Sequence, residues 1–374
     1  MRWLLFLAVI PALAAPRWTV QYFYDDPRAE LTIADLVFPA AQRGIAVGWT
    51  MERGHKPKPV SLVTSDEGAH WTLNPLMDLP RSLFFLNEST GWMVTEEGLW
   101  FTEESGRSWR KIWEQTKPDK KLQPVPPGGL ILRVWFLDAQ HGYAAGYRKT
   151  VLETFDGGHT WKPVADAAKP NGTLVYSAYT QIAFDGPRGL IIGTSLPPRR
   201  GAGPMPSWIE PDRATKQRKV PSETLLLETV DGGAHWTASN IPLFGSVDAV
   251  RLAGTEGLDL FSYGPSFEWP SEVYKLDLNS SDAVSVFRET NRKVTDIALF
   301  AGPQAYLAAV EPTGTLNTVP IPGAVKILTS TNLTDWEEMT VDYRAQATTL
   351  CLAGPDASHL WAATDTGMIL HLVK

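Results

Sequence analysis

The chain has 374 residues, a length that fits either two ordinary domains or one large all-β domain. Hydrophobic residues make up 44% and charged residues 20%, which excludes a disordered chain, and a net charge of −7 disfavours a nucleic-acid-binding surface. The 15 Trp, 30 Gly and 29 Pro residues favour many short strands and turns over long helices.

The first residues have the pattern of a signal peptide. Arg2 precedes an apolar run, Leu4–Ala15, in which Ala12 and Ala14 stand at the spacing of a cleavage site. The run is too short to cross a bilayer comfortably. We therefore predict a signal peptide over residues 1–15 and a periplasmic or secreted mature protein without an integral membrane span. A retained N-terminal anchor is the alternative.

Pairs of short strands recur along the rest of the chain. In the first pair, a buried strand at Asp35–Phe38 precedes a strand of small and apolar residues at Gly44–Trp49. Arg133–Phe136 and Gly142–Gly146 repeat this pattern. Counting every pair predicts one all-β domain over residues 16–374, a seven-bladed β-propeller. The other pairs lie at 82–94, 181–193, 250–262, 296–308 and 349–363.

A second repeat has the form Ser/Thr-x-Asp-x-Gly-x-x-Trp. In its first copy Asp66 can accept hydrogen bonds from backbone N–H groups, Gly68 suits positive φ, and Trp71 can fold back over a hairpin. The pattern therefore predicts a clamp at a turn rather than a catalytic or metal site, since the neighbouring histidines belong to separate repeats that do not converge. The clean copies lie at 64–71, 154–161 and 229–236, the worn copies at 102–109 and 330–336, and the histidines are His70, His159 and His235.

This turn motif resembles the Asp-box, or BNR, repeat of sialidases, of sortilin-type receptors and of the photosystem II stability/assembly factor family. The strand pairs resemble those of the assembly-factor family over nearly all of the chain that follows the signal peptide. The resemblance implies a β-propeller that works as a protein-binding or assembly scaffold. The resemblance is more informative about the fold than about the function, because families that share the motif differ in what they do.

The two ends of the chain are expected to complete one blade together. The last unit, 348–374, has room for three strands only, and Trp18–Tyr24 is an isolated strand after the signal peptide. Pairing the two would close the ring and remove exposed strand edges. We therefore predict a propeller closed by its N-terminal strand.

The functional surface is predicted on the face opposite the turn motifs, where the longest loops and the starts of the innermost strands meet. Those strand starts place a polar ring at the mouth of the central channel. One interpretation is a binding site for a ligand or a cation, and the other is a set of internally paired polar groups. The ring consists of Asp35, Ser82, Arg133, Gln181, Asp248 or Ala249, Asp296 and Thr349, and the loops are 51–60, 114–129, 197–221, 264–271 and 311–324.

One of these loops, 197–221, is basic although the protein is acidic. We interpret Arg199 and Arg200 as candidates for binding an acidic partner, and Trp208 as an aromatic side chain that a partner would cover. The alternative is a solvated, disordered loop without a binding role.

Signals of catalysis are sparse. The chain contains no His-Glu-x-x-His, Gly-x-Ser-x-Gly or phosphate-loop motif. The first inner strand lacks the Arg of a sialidase carboxylate clamp, and the nearest Tyr–Glu pair is Tyr263 with Glu268. Cys351, the single cysteine, stands in an apolar strand and is predicted to be a buried, inert thiol.

Together these observations predict an exported, non-catalytic and monomeric scaffold. Its predicted partner is a protein of the cell envelope, and we expect no cofactor, no metal and no nucleic acid. The alternative is a sialidase-like glycoside hydrolase or a glycan-binding propeller, because Asp and Glu are abundant enough to supply a carboxylate pair.

Overall fold

The structure is a computed structural model that describes residues 15–115, 130–196, 222–264, 267–280, 282–302, 304–316 and 319–374. The predicted signal peptide therefore lies outside the described residues, except for its last residue. Among the described residues the only helices are two 3-10 helices, Ala165–Ala168 and Leu174–Tyr176. No helix in this part of the chain has the length and apolar character needed to cross a membrane.

Strands that follow one another in sequence pair antiparallel in meanders of four, and five such meanders form separate sheets. The first two sheets are β2 (Ala29–Ala40), β3 (Arg43–Glu52), β4 (Lys58–Thr64), β5 (Thr72–Pro75), and β6 (Pro80–Phe85), β7 (Gly91–Thr95), β8 (Gly98–Thr102), β9 (Arg110–Glu114). The third and fourth are β10 (Ile131–Phe136), β11 (Gly142–Gly146), β12 (Thr150–Thr154), β13 (Lys162–Pro163), and β14 (Ser177–Asp185), β15 (Arg188–Ser195), β16 (Ser222–Thr229), β17 (Thr237–Leu243). The fifth is β18 (Ser246–Ala253), β19 (Glu256–Ser262), β20 (Ser271–Asp277), β21 (Asp282–Arg288).

The remaining strands form a nine-stranded sheet and a small hairpin. The nine-stranded sheet contains β22 (Lys293–Phe300), β23 (Gln304–Val310), β26 (Gly323–Ser330), β27 (Glu337–Val341), β28 (Gln346–Ala347), β29 (Leu350–Asp356), β30 (His359–Thr364), β31 (Met368–Val373) and β1 (Arg17–Phe23). The hairpin is β24 (Thr315–Leu316) with β25 (Val319–Pro320). These repeated four-stranded units confirm the predicted all-β propeller. The number of blades stays a prediction, since one sheet has nine strands rather than four.

The N-terminal strand closes the structure. β1 pairs antiparallel with β31 and touches β27 in parallel, so it is the fourth strand of the meander β29–β31. Trp18 is fully buried there. The Gln21 side chain accepts a hydrogen bond from the Trp361 indole at 2.9 Å and donates one to the Glu67 carbonyl at 2.7 Å. The first strands β2, β6, β10, β14, β18, β22 and β29 contact one another in a closed circuit, which confirms the predicted closure.

Aromatic rings pack the sheets against one another. Phe38 stacks on Trp361 of the preceding sheet at a centroid distance of 3.6 Å, and Phe136 stacks on Trp92 at 3.7 Å. In four of the sheets a glycine at the start of the second strand lies under a Phe ring of the first strand: a Cβ at Gly44 would stand 2.3 Å from the Phe38 ring. This contact explains why Phe and Gly recur at fixed spacing in the sequence.

The turn motif forms the hydrogen bonds that its sequence predicts. The Asp156 carboxylate accepts a bond from the Thr160 backbone N–H at 2.8 Å and from the Thr160 hydroxyl at 2.6 Å. Gly158 has a φ of 96° and donates its N–H to the Thr154 hydroxyl at 3.0 Å. Asp66 and Asp231 accept the equivalent backbone bond from the residue four positions later, each at 2.9 Å. These carboxylates therefore serve local turn structure.

Candidate functional site

The two ends of the sheets are chemically different. Because successive strands run antiparallel, the turns of the repeated motif share one end, which we call the turn face. The other end, where the first strand of each meander begins, is called the open face. It carries the loops between second and third strands and the connections from one meander to the next.

Large apolar side chains are exposed mainly on the open face. Near the turn face only Phe155, Val230 and Val373 are exposed among the described residues of this kind, and Leu73, Ile241 and Val284 lie within outer strands. This asymmetry marks the open face as the side that a partner can cover. The exposed apolar residues of the open face are Phe23, Met51, Met77, Leu174, Val175, Leu196, Phe244, Leu316, Val319, Ile321 and Tyr343.

A cavity of about 570 Å³ lies inside the circuit of first strands. Its polar lining contains five of the binding residues predicted from sequence, so the structure brings these together: Asp35, Arg133, Gln181, Asp248 and Asp296. Arg199, Arg200 and Trp208, the other three predicted binding residues, lie outside the described residues. The first five candidates therefore lie together around one cavity, and the binding role of the other three stays a prediction.

The carboxylates of the ring connect neighbouring sheets. Asp35 accepts hydrogen bonds from its own neighbour Leu36 at 2.9 Å and from the Leu83 N–H of the second sheet at 2.8 Å. Asp296 repeats this geometry with Ile297 at 2.9 Å and with Leu352 N–H at 2.8 Å. Burial raises the pKa of the Asp35 carboxyl, although Arg133 and the two N–H groups oppose the rise. In both carboxylates each oxygen thus accepts one backbone hydrogen bond.

Two uncharged members of the ring make the same kind of link. Ser82 donates to the Leu132 carbonyl of the third sheet at 2.8 Å. Gln181 donates to the Asp248 carbonyl of the fifth sheet at 2.6 Å. These two residues agree with the interpretation of the ring as a set of internally paired polar groups.

The structure chooses between the two residues aligned with the ring in β18 and departs from the alignment in β29. A bulge interrupts pairing between Val247 and Ala249, so Ala249 holds the ring position and Asp248 is the extra residue. The Asp248 carboxylate accepts a hydrogen bond from the Ser262 hydroxyl instead. β29 has no such bulge, and Cys351 precedes the N–H that Asp296 binds. The alignment of Thr349 with the ring is therefore wrong by two residues.

Cys351 consequently lines the central cavity, a placement that its apolar sequence neighbours did not indicate. Burial raises the pKa of its thiol well above the usual value, and the Asp35 and Asp296 carboxylates reinforce the rise. A raised pKa disfavours the nucleophilic thiolate, which agrees with the inert thiol predicted from sequence, but Cys351 is half-buried rather than buried.

The two arginines of the cavity differ in their partners. Arg251 forms an ion pair with Asp296 at 2.9 Å and also donates to the Val250 carbonyl at 3.0 Å. Arg133 is half-buried, and its guanidinium makes no hydrogen bond or ion pair with any described residue. Arg133 is thus the ring member whose donors remain available to a ligand.

A groove of about 620 Å³ opens beside the cavity on the open face. It lies between the first and second sheets, and Ala34, Arg133 and Gln181 line both the groove and the cavity. The sequence analysis named the loop 51–60 but missed the groove, which depends on how two sheets pack. Its remaining apolar and charged lining includes Trp49, Met51, Pro57, Leu79, Pro80, Arg81 and Glu96.

The predicted tyrosine pair is corrected by the structure. Tyr263 donates its hydroxyl to Glu272 at 2.8 Å, and Glu268 is not its partner. Burial and the Glu272 carboxylate both raise the pKa of Tyr263, which is the opposite of the shift that activates a nucleophile. Among the described residues no group of three or more His, Cys, Asp or Glu side chains has the arrangement of a metal site.

Comparison with known proteins places these features in context. The family described as photosynthesis system II assembly factor YCF48 matches residues 113–197. The photosystem II stability/assembly factor HCF136 of Oryza sativa subsp. japonica is 35% identical over 77 residues, which cover 20% of this chain and 18% of that protein. HCF136 of Arabidopsis thaliana is 28% identical over 142 residues, covering 37% of this chain and 28% of that protein.

The likeness in structure extends further than the likeness in sequence. The solved structure of YCF48 bound to D1 peptide has a TM-score of 0.59 and 16% sequence identity, and the match covers 98% of this chain and 99% of that one. The aligned segments span less than a third of the two curated relatives, whereas the fold is shared from end to end. The chain is therefore a β-propeller similar to the photosystem II assembly factors.

Proposed function

We propose that this protein is a non-catalytic scaffold that binds a segment of a partner protein on its open face. The observation that carries the proposal is the concentration of exposed apolar side chains on that face, around the polar mouth of the central cavity. Apolar groups that remain exposed on a rigid scaffold are a common feature of recognition surfaces.

The similarity to assembly factors supports the same proposal. The relative of known structure was solved as YCF48 bound to D1 peptide, so a propeller of this architecture accommodates a protein segment. We extend only the class of partner, a protein segment, to this chain. The partner itself is left to experiment.

The proposal includes export to the periplasm or the exterior of the cell. It is motivated by the signal-peptide pattern of residues 1–15. N-terminal sequencing of the protein purified from its host tests it: a mature chain that begins at Ala15 or Pro16 supports export with cleavage, and a chain that keeps Met1 in the cytoplasmic fraction refutes it.

Site-specific photo-crosslinking tests the binding face. A benzophenone amino acid replaces Leu174 or Leu316 on the open face, and Phe155 or Val230 on the turn face as matched exposed controls. Crosslinking is carried out in cells of the native host. We expect discrete protein adducts from the open-face positions only. Adducts of equal yield from the turn-face positions, or adducts from those positions alone, would contradict the proposed function.

A further inference from the structure

We propose that the groove between the first and second sheets binds an extended acidic peptide that places an apolar side chain in the groove and a carboxylate on Arg133. This inference rests on the proposed function and specifies the chemistry of the segment that is bound. It is argued from the two walls of the groove, from the charges on its rim and from the position of Arg133.

The first wall is the uncovered end of a core face. Side chains alternate along β3, so Ile45, Val47, Trp49 and Met51 point to the second sheet. Ile45 and Val47 are fully buried against Leu83 and Met93 of that sheet. Trp49 is only half-buried, and Met51 is exposed. The apolar stripe therefore continues beyond the point where the protein covers it.

The second wall belongs to the connection into β6. Leu79 is half-buried and Pro80 is buried, and both line the groove opposite the β3 stripe. Pro57, from the loop between β3 and β4, completes the apolar lining. A pocket that is flanked by Trp, Met, Leu and Pro suits a single aliphatic or aromatic side chain of a bound segment.

Charge on the rim favours an acidic segment. The loop that separates Met51 from Pro57 carries Arg53 and Lys56, which are exposed and form no ion pair with the described residues. Arg81 lines the groove and forms an ion pair with the Glu96 carboxylate at 3.8 Å. On a protein whose net charge is −7, the four cations Arg53, Lys56, Arg81 and Arg133 at this groove outnumber Glu96, the single acidic residue of its lining.

Arg133 gives the segment an anchor. It stands at the inner end of the groove, where the groove meets the central cavity, and its guanidinium makes no hydrogen bond or ion pair with the described residues. A guanidinium matches a carboxylate through two parallel N–H bonds. The carboxylate has two sources in a peptide, an acidic side chain or a free C-terminus, and Arg133 recognises the group that they share.

Fluorescence anisotropy with short synthetic peptides tests the inference. The probe is a fluorescein-labelled Gly-Ser octapeptide in which Leu is followed by a C-terminal Asp with a free carboxylate. A second peptide has the same sequence with an amidated C-terminus, and a third replaces the Asp by Asn and is amidated. We expect the first two to bind, and the third to bind ~tenfold more weakly or not at all. An equal loss of binding by both amidated peptides would assign the carboxylate to the chain terminus.

Two pairs of variants locate the site. Arg133→Gln and Met51→Asp are expected to weaken binding of the first peptide ~tenfold, the former by removing the anchor and the latter by repelling the acid. The matched controls are Arg43→Gln, a half-exposed arginine near the turn face, and Val230→Asp, an exposed apolar residue of the turn face. Both controls should bind as the unchanged protein does, and thermal melting of all four variants checks that they fold.

Three results would overturn the inference: no binding of the first peptide, equal binding of the Asn peptide, or unchanged binding by Arg133→Gln and Met51→Asp. Failure of the proposed function looks different. If crosslinks to protein persist at Leu316 while the groove variants have no effect, peptide binding in the groove is refuted and partner binding on the open face is retained. If crosslinks arise from the turn face instead, the proposed function itself fails.

Discussion

The turn face and the open face differ in whether their side chains are already engaged within the protein. On the turn face, Asp66, Asp156 and Asp231 have a pKa lowered to about 2 because backbone and side-chain donors of their own turns hold the ionised form. On the open face, Arg133 makes no hydrogen bond to the described residues, and Met51 extends an apolar face into solvent. The comparison teaches that polar groups on the turn face are used in folding, whereas the open face retains groups that can bind.

The largest effect is expected from the strand that joins both ends of the chain. Trp18→Ala should destabilise the protein by ~3–5 kcal/mol, because Trp18 is fully buried between β31, β27 and their neighbours. Thermal melting followed by circular dichroism measures the change. Tyr343→Ala, at an exposed aromatic residue of the open face, is the control and should melt as the unchanged protein does. An unchanged melting temperature for Trp18→Ala would disprove the closure.

The next effect separates structural from binding residues within the ring. Asp35→Ala leaves the Leu36 and Leu83 N–H groups without their acceptor and should cost ~2–4 kcal/mol. Arg133→Gln removes no hydrogen bond to described residues, only the positive charge that favours the ionised Asp35 carboxyl, so it should cost clearly less stability in chemical denaturation. Urea titration of both variants measures this contrast. Equal losses, or a larger loss for Arg133→Gln, would show that the ring does not divide in this way.

A buried carboxyl between the two faces gives a pH-dependent effect. Burial raises the pKa of Asp259 from 3.8 to about 8, and its Oδ1 has no hydrogen-bond partner. Because the folded state keeps a proton that the unfolded chain releases, stability should fall as pH rises from about 4 to about 8. Asp259→Asn should flatten this decline in melting temperature between these pH values. The exposed Asp282→Asn is the control, and an identical slope in all three proteins would contradict the assignment.

The smallest effect is expected on the turn face. The lowered pKa of Asp156 means that its carboxylate stabilises the fold above about pH 4, and that this contribution is lost as pH falls through about 2. Asp156→Ala should therefore lower the melting temperature slightly at neutral pH and remove that part of the acid dependence. It should leave crosslinking at Leu316 unchanged. Reduced crosslinking in the folded variant would mean that the turn face contributes to binding.

Much of the fold is readable from local chemistry. The Asp156 turn and the contact of Gly44 with the Phe38 ring are short-range features, so the sequence analysis recognised their repeats and derived the closing strand from them. The propeller and its closure could therefore be predicted before any tertiary contact was known.

The site was less predictable because it depends on contacts between sheets. In β18 Asp248 is the bulged residue and therefore lies outside the ring. The start of β29 has no bulge, and this brings Cys351 into the ring. Neither change has a clear sequence signal. The groove beside Trp49 arises where the long strand β3 of the first sheet extends beyond the shorter strands of the second sheet. The alternation of Ile45, Val47, Trp49 and Met51 was the available sequence signal. Alternation alone does not show at which residue the second sheet stops covering this apolar stripe.

Hydrogen–deuterium exchange of the protein with its crosslinking partner, once that partner is purified, tests the central claim most directly. Residues 51–60 and 76–82 flank the groove on the open face, and residues 154–161 and 229–236 form turns on the opposite face. We predict that binding slows amide exchange in the first two segments and leaves the second two unchanged. Slower exchange in the turn segments with no change at 51–60 and 76–82 would contradict the account.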